Sequence, residues 1–149
     1  MTVAPGLAEI LAGEAGLYER LLAVLGEEER ALVARRLSVV AECVTRKENL
    51  VLEIRLAELA RQAAVARRSR AARAEDDSDP AVIEARQRLR EVVPQVLRVN
   101  RCVAALVDRS LARLHATLEI LQDTAGTGRQ YRRDGGLVGQ LPSAVDGRA

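Results

Sequence analysis

The sequence predicts an all-α protein in which two long antiparallel helices pack as a helical hairpin or bundle. Good helix formers run without a proline from about residue 7 to residue 73, and almost as continuously from Pro80 to about Asp123. In both stretches aliphatic side chains recur every three or four residues, which is the spacing of one face of a helix. The 149 residues are enough for one domain with a modest core.

The first predicted helix carries a continuous apolar seam. Five of its side chains recur at intervals of seven residues: Leu11, Tyr18, Leu25, Leu32 and Val39. Lys47 is the one polar member of the neighbouring row. Gly26 costs roughly 1 kcal/mol relative to alanine inside a helix, so it is the predicted site of a bend or break. Without a break this helix would be on the order of 100 Å long and the second about 65 Å, so they could not pair end to end.

The second predicted helix begins at Asp79 and Pro80, which are interpreted as its N-cap and first helical residue. Its apolar residues cover an arc too wide for a two-stranded seam to bury, so the helix needs at least two helical neighbours. A folded-back first helix, a second copy of the chain or a partner helix could supply them. Asn100 lies at a seam position where polar groups often fix register, and Pro94 predicts a kink.

The helical pattern stops after Asp123. Six of the ten glycines fall between residues 124 and 149, together with Pro142. We therefore expect a helical domain over residues 1–123 and a flexible tail over residues 124–149. Tyr131 is an aromatic residue isolated in this tail, and such residues are either inert or insert into a partner's pocket.

Composition and charge argue against nucleic-acid and membrane binding. The formal net charge is only +2, and Phe and Trp are absent, so the core must be aliphatic. One basic run is followed at once by acidic residues and is interpreted as a solvated helix end: Arg55, Arg61, Arg67, Arg68, Arg70 and Arg73. No stretch approaches the roughly 18 apolar residues of a membrane span, and the start has no signal-peptide pattern. We therefore expect a cytoplasmic protein without membrane insertion.

No catalytic, cofactor-binding or metal-binding site is predicted. The sequence lacks a glycine-rich phosphate loop, a G-x-S-x-G motif and an H-E-x-x-H motif. The single histidine, His115, has Glu119 four residues later, and we interpret the two as a solvated surface pair rather than an acid–base pair. Cys43 and Cys102 lie within the apolar pattern and are interpreted as small core residues.

Residues 17–62 resemble the amino-terminal helix of the FlgN family of flagellar export chaperones. The shared features are a Leu-rich opening, a Glu-Arg pair, a Lys-Glu pair before an aliphatic run and a closing arginine, found here at Leu21, Leu22, Glu29, Arg30, Lys47, Glu48, Leu50 to Ile54 and Arg61. The second helix and the segment YRRDGG are similar to the family's second long helix and its closing Tyr-x-x-Asp-Gly element. The resemblance spans about residues 7–136.

This resemblance implies a cytosolic chaperone that binds hook-filament junction proteins, prevents their premature assembly and delivers them to the flagellar type III export gate. In the family the carboxy-terminal half covers a carboxy-terminal helical region of the client, and a tail tyrosine contacts the gate protein. The resemblance implies that Tyr131 makes this contact here.

The wide apolar arc of the second helix independently predicts a groove for a partner helix. Its predicted client-binding residues are Val103, Leu106, Leu111, Leu114, Leu118 and Leu121. The alternative function is that of a coiled-coil structural protein that only oligomerises, and the sequence leaves the oligomeric state open.

Overall fold

The computed structural model describes residues 5–133, with side chains described as far as residue 125. All regular structure in this part of the chain is helical: α1 (Leu7–Val33), α2 (Leu37–Arg67), α3 (Arg70–Ser78) and α4 (Pro80–Arg133). The predicted all-α fold class is therefore confirmed. Among these helices the structure describes none that is long and apolar enough to cross a membrane.

The first predicted helix is divided at residues 34–36 and again at residues 68–69, whereas Gly26 lies inside α1. The prediction of a break near Gly26 was therefore wrong. Helix α1 ends instead in a Schellman motif, in which the Arg36 N–H donates to the Ala31 carbonyl at 2.9 Å and the Arg35 N–H to the Leu32 carbonyl at 3.2 Å. Arg35 adopts the left-handed conformation that this motif requires, with φ at 56°.

The chain divides into two compact units, residues 1–107 and residues 108–149. In the first unit α2 runs antiparallel to α1, because Glu28 near the end of α1 contacts Lys47 near the start of α2, and Glu14 contacts Arg61. The first part of α4 starts beside the start of α1 and runs parallel to it. This unit is therefore a three-helix bundle made by α1, α2 and the first part of α4.

The core of the bundle is aliphatic, as predicted, and consists of two clusters. The larger cluster takes three residues from each helix: Leu21, Val24, Leu25, Cys43, Leu50, Ile54, Val92, Val96 and Val103. The smaller cluster joins the starts of α1 and α4: Leu7, Leu11, Val82 and Ala85. The first part of α4 thus has two helical neighbours, as the wide apolar arc predicted, and both come from the folded-back first helix.

Two ion pairs are built into the interface between α1 and α2. The Glu28 side chain is 2% exposed and lies 2.8 Å from the Lys47 ammonium. The Glu14 side chain is 4% exposed and accepts from the Arg61 guanidinium at 2.8 Å. Since a buried carboxylate is costly unless it is paired, Lys47 and Arg61 belong to the packing of the bundle. This explains why Lys47 interrupts an otherwise apolar row.

The link between α2 and α4 contains the short helix α3. Ser69 caps its start by accepting from the Ala72 N–H at 3.2 Å, and Arg68 pairs with Asp76 at 2.9 Å. Asp79 caps α4 as predicted, because its carboxylate accepts from the Ala81 N–H at 2.9 Å. Pro80 is accordingly the first residue of α4.

Helix α4 continues to Arg133, whereas the prediction ended it near Asp123. Residues 134–149, most of the predicted tail, lie outside the described residues. Asn100, which was predicted at a seam position, and Cys102, which was predicted as a small core residue, are both exposed. The prediction for Cys102 was therefore wrong. Cys43, in contrast, is fully buried in the core as predicted.

Candidate partner-binding surface

The part of α4 that belongs to the second unit carries a row of exposed leucines. Leu111, Leu114, Leu118 and Leu121 are each between 46% and 58% exposed. At 3.6 residues per turn these positions fall within about 80° of one another around the helix, so they form one stripe. We call these four residues the leucine row. Contiguous exposed apolar surface of this kind marks a site of interaction with another molecule.

The remaining predicted client-binding residues lie in the first unit. Val103 is only 3% exposed and belongs to the larger core cluster. It is therefore unavailable to a partner while the bundle is folded. Leu106 is half-buried. The sequence prediction had joined core and surface residues into a single arc because both occupy the same heptad pattern.

The edges of the leucine row are mostly uncharged. Asp108, His115 and Gln122 follow at intervals of seven residues along one edge, and Ser110, Thr117 and Thr124 follow along the other. The Thr117 hydroxyl donates to the Arg113 carbonyl at 2.9 Å, so it is turned onto its own helix. The surface is therefore suited to binding through apolar burial, with a single carboxylate at its margin.

A second concave surface lies in the first unit, where a groove of about 420 Å³ opens between the helices. Its lining includes Leu7 and Leu11, together with Glu14 and Arg61, which pair with each other. The Tyr18 hydroxyl donates to Glu58 at 2.9 Å. Burial, reinforced by that hydrogen bond, raises the pKa of Tyr18 to about 12. The phenol therefore stays protonated at neutral pH and acts as a structural donor between α1 and α2.

The basic run is largely engaged in contacts within the chain. Arg61 pairs with Glu14 and Arg68 with Asp76. Arg67 donates to the Ala63 carbonyl at 3.1 Å, and Arg73 to the Val65 carbonyl at 3.2 Å. These contacts support the interpretation of the run as a helix end, because the guanidinium groups are committed to carboxylates and to carbonyls of the last turns.

The other predicted candidates are placed as follows. His115 and Glu119 are both exposed on α4. Tyr131 lies within the bounds of α4, but its side chain is outside the described residues. Within the described residues, no group of three or more potential metal ligands comes together.

Sequence reasoning missed the ion pairs of the bundle, although the sequence contains a signal for them. Glu14, Leu21 and Glu28 recur at intervals of seven in α1, and Lys47, Ile54 and Arg61 do so in α2. Laid antiparallel, the two rows place each acidic residue opposite a basic one and Leu21 opposite Ile54.

One comparison with known proteins identifies a family. The model of the FlgN protein family matches residues 1–139 of this chain, a range that includes every residue the structure describes. No curated protein and no solved structure is significantly similar to the chain.

Proposed function

Because the chain belongs to the FlgN family of flagellar export chaperones, we propose that it binds hook-filament junction proteins in the cytoplasm and delivers them to the type III export gate. Membership of the family gives the chaperone role in flagellar export. The identity of the clients and the delivery to the gate are the proposed part. The observation that carries the proposal is the leucine row, an apolar helix face that nothing covers in the described residues of the chain.

The proposed client contact is a helix laid along the leucine row. An amphipathic helix recognises such a face through apolar side chains spaced three and four residues apart. Each leucine of the row is about half exposed, so covering it contributes on the order of 1 kcal/mol. Four such contacts total only about 4 kcal/mol, so client side chains beyond the leucine row must add to the affinity.

Covering a helical face of the client also accounts for the proposed control of assembly. A helix that is packed against the leucine row cannot at the same time pack against a neighbouring subunit. Val103 is left out of the proposed contact because it is a core residue, and Leu106 is left out because it is half-buried in the first unit.

The test is binding of a synthetic peptide that covers the carboxy-terminal helical region of a hook-filament junction protein from the same genome. We expect Leu111→Ala combined with Leu118→Ala to weaken binding by about thirtyfold or more, the equivalent of roughly 1 kcal/mol for each side chain. Fluorescence anisotropy with a labelled peptide measures the affinity.

A matched control is available on α2, where Leu52 and Leu56 in the first unit are at least as exposed as Leu111 and Leu118. We expect Leu52→Ala combined with Leu56→Ala to leave peptide affinity unchanged. Equal losses in both double variants would contradict the assignment of the site to α4. A wild-type chain that self-associates but binds no peptide would favour the alternative of a protein that only oligomerises.

A further inference from the structure

The leucine row has the same spacing when it is read from either end. Its intervals are three, four and three residues. Two copies of α4 laid antiparallel with Leu114 opposite Leu118 therefore also place Leu111 opposite Leu121. This arrangement gives four layers of leucine against leucine along about 15 Å of helix. Apolar residues spaced in this way are the ones that interdigitate when helices pair.

The edges of the row tolerate a second copy. In the antiparallel arrangement His115 lies opposite His115 of the second copy, and Asp108 lies opposite Gln122. On the other edge Thr117 meets Thr117 of the second copy, so no two carboxylates or guanidinium groups face each other. Like charges at these edge positions are what prevents identical helices from pairing, and here they are missing.

The size of the row indicates how strong such an association would be. Only four half-exposed leucines and their immediate neighbours would be buried on each copy. Interfaces below about 1,200 Å² are typical of weak, transient complexes. The pair is therefore expected to be reversible, with a dissociation constant on the order of micromolar or weaker.

We propose that residues 108–125 of two copies form this antiparallel pair, so that a second copy of the chain covers the leucine row when no client is bound. The pairing itself does not depend on the function proposed above. One consequence does rest on it: client and second copy compete for the same leucines, so client binding dissociates the dimer.

The first test is the mass of the full chain measured by sedimentation over about a hundredfold range of concentration. Wild type is expected to shift reversibly from monomer to dimer, and Leu114→Glu is expected to stay monomeric. The matched control is Leu56→Glu, which places the same charge at an exposed leucine of α2 and should dimerise like wild type. Circular dichroism checks that both variants remain helical. A monomeric wild type, or loss of the dimer in Leu56→Glu, overturns the proposal.

The second test examines the register, because residue 115 meets its own copy only in the antiparallel pair. His115→Glu and His115→Lys place like charges at the two-fold axis, so each variant alone should dimerise at least about tenfold more weakly than wild type. An equimolar mixture should form a heterodimer tighter than either variant alone. If the mixture dimerises no more tightly than either variant alone, the antiparallel register is overturned.

These measurements separate the failure of this proposal from failure of the proposed function. If wild type is monomeric and the double variant Leu111→Ala with Leu118→Ala loses peptide binding, the proposed client site stands and the proposed dimer is overturned. If wild type dimerises as described but binds no client peptide, the proposed dimer stands and the proposed client site is overturned.

Discussion

Arg35 adopts a conformation that usually belongs to glycine. Its φ of 56° places it in the left-handed region, at the position of the Schellman motif where glycine is the common occupant. A residue with a Cβ atom costs roughly 1 kcal/mol more than glycine in this conformation. We therefore expect Arg35→Gly to raise the free energy of unfolding by about 0.5–1 kcal/mol, measured by urea denaturation.

The neighbouring residue provides the control for this prediction. Arg36 has φ at −88°, so glycine relieves no strain there and only adds freedom to the unfolded chain. Arg36→Gly should leave the stability unchanged or lower it slightly. If Arg35→Gly were the less stable of the two variants, contacts of the Arg35 side chain would outweigh the backbone strain.

The positions of Gly26 and Arg35 show what sequence reasoning at the level of single residues can and cannot predict. Gly26 disfavours a helix by about 1 kcal/mol, which is less than the packing of its neighbours Val24 and Leu25 in the core contributes. The break occurs instead at an arginine, where no local preference points to it. The end of α1 is set by where α2 can fold back onto the apolar seam, and that depends on packing over the whole pair of helices.

At the scale of the helices, two antiparallel rows of charge fix the register of α1 against α2. Of the two buried carboxylates, Glu28 is less exposed than Glu14. Removal of the Lys47 cation would leave the Glu28 carboxylate unpaired. We expect Lys47→Met to lower the free energy of unfolding by about 2–3 kcal/mol. Urea denaturation monitored by circular dichroism measures the change.

Two further variants test whether the loss comes from the unpaired charge. Glu28→Met combined with Lys47→Met should restore most of the stability, because apolar replacements of a buried pair are often neutral. Arg46→Met removes the cation from the exposed Glu27–Arg46 pair between the same two helices and should change stability little. If Lys47→Met and Arg46→Met lower the free energy of unfolding equally, burial of the carboxylate is not the cause of the loss.

The candidate site could be predicted from the sequence in part. The heptad pattern of α4 correctly indicated an apolar arc and brought together Leu111, Leu114, Leu118 and Leu121. It could not separate these from Val103, because a core seam and an exposed row have the same spacing. Burial depends on how far α1 and α2 reach along α4, and that follows from where the first helix breaks.

At the scale of the whole molecule, the described core and the proposed partner-binding surface occupy different parts of the chain. The described core clusters lie entirely within residues 1–107, and the leucine row lies after them. Substitutions in the leucine row should therefore change binding without unfolding the bundle. We expect the opposite result for the buried ion pairs: Lys47→Met should lower the free energy of unfolding and leave the leucine row intact.

The same separation leads to a prediction for the proposed gate contact, Tyr131. Because Tyr131 lies in a polar, glycine-rich stretch of the sequence, we expect Tyr131→Ala to leave the free energy of unfolding within roughly 0.5 kcal/mol of wild type. Client affinity should also stay nearly unchanged. An aromatic anchor at an interface commonly contributes about 2 kcal/mol or more, so docking of the chaperone–client complex to the export gate should weaken at least about thirtyfold.

Calorimetry with the purified cytosolic domain of the gate protein measures this docking for wild type and Tyr131→Ala. Tyr131→Phe is the matched variant, because it keeps the ring and removes only the hydroxyl, so it distinguishes ring burial from a hydrogen bond. If ring burial provides the affinity, Tyr131→Phe should dock nearly as well as wild type. Equal gate affinity in wild type and Tyr131→Ala would remove the proposed role. A large loss of stability in Tyr131→Ala would instead mean that the tyrosine packs within the chain.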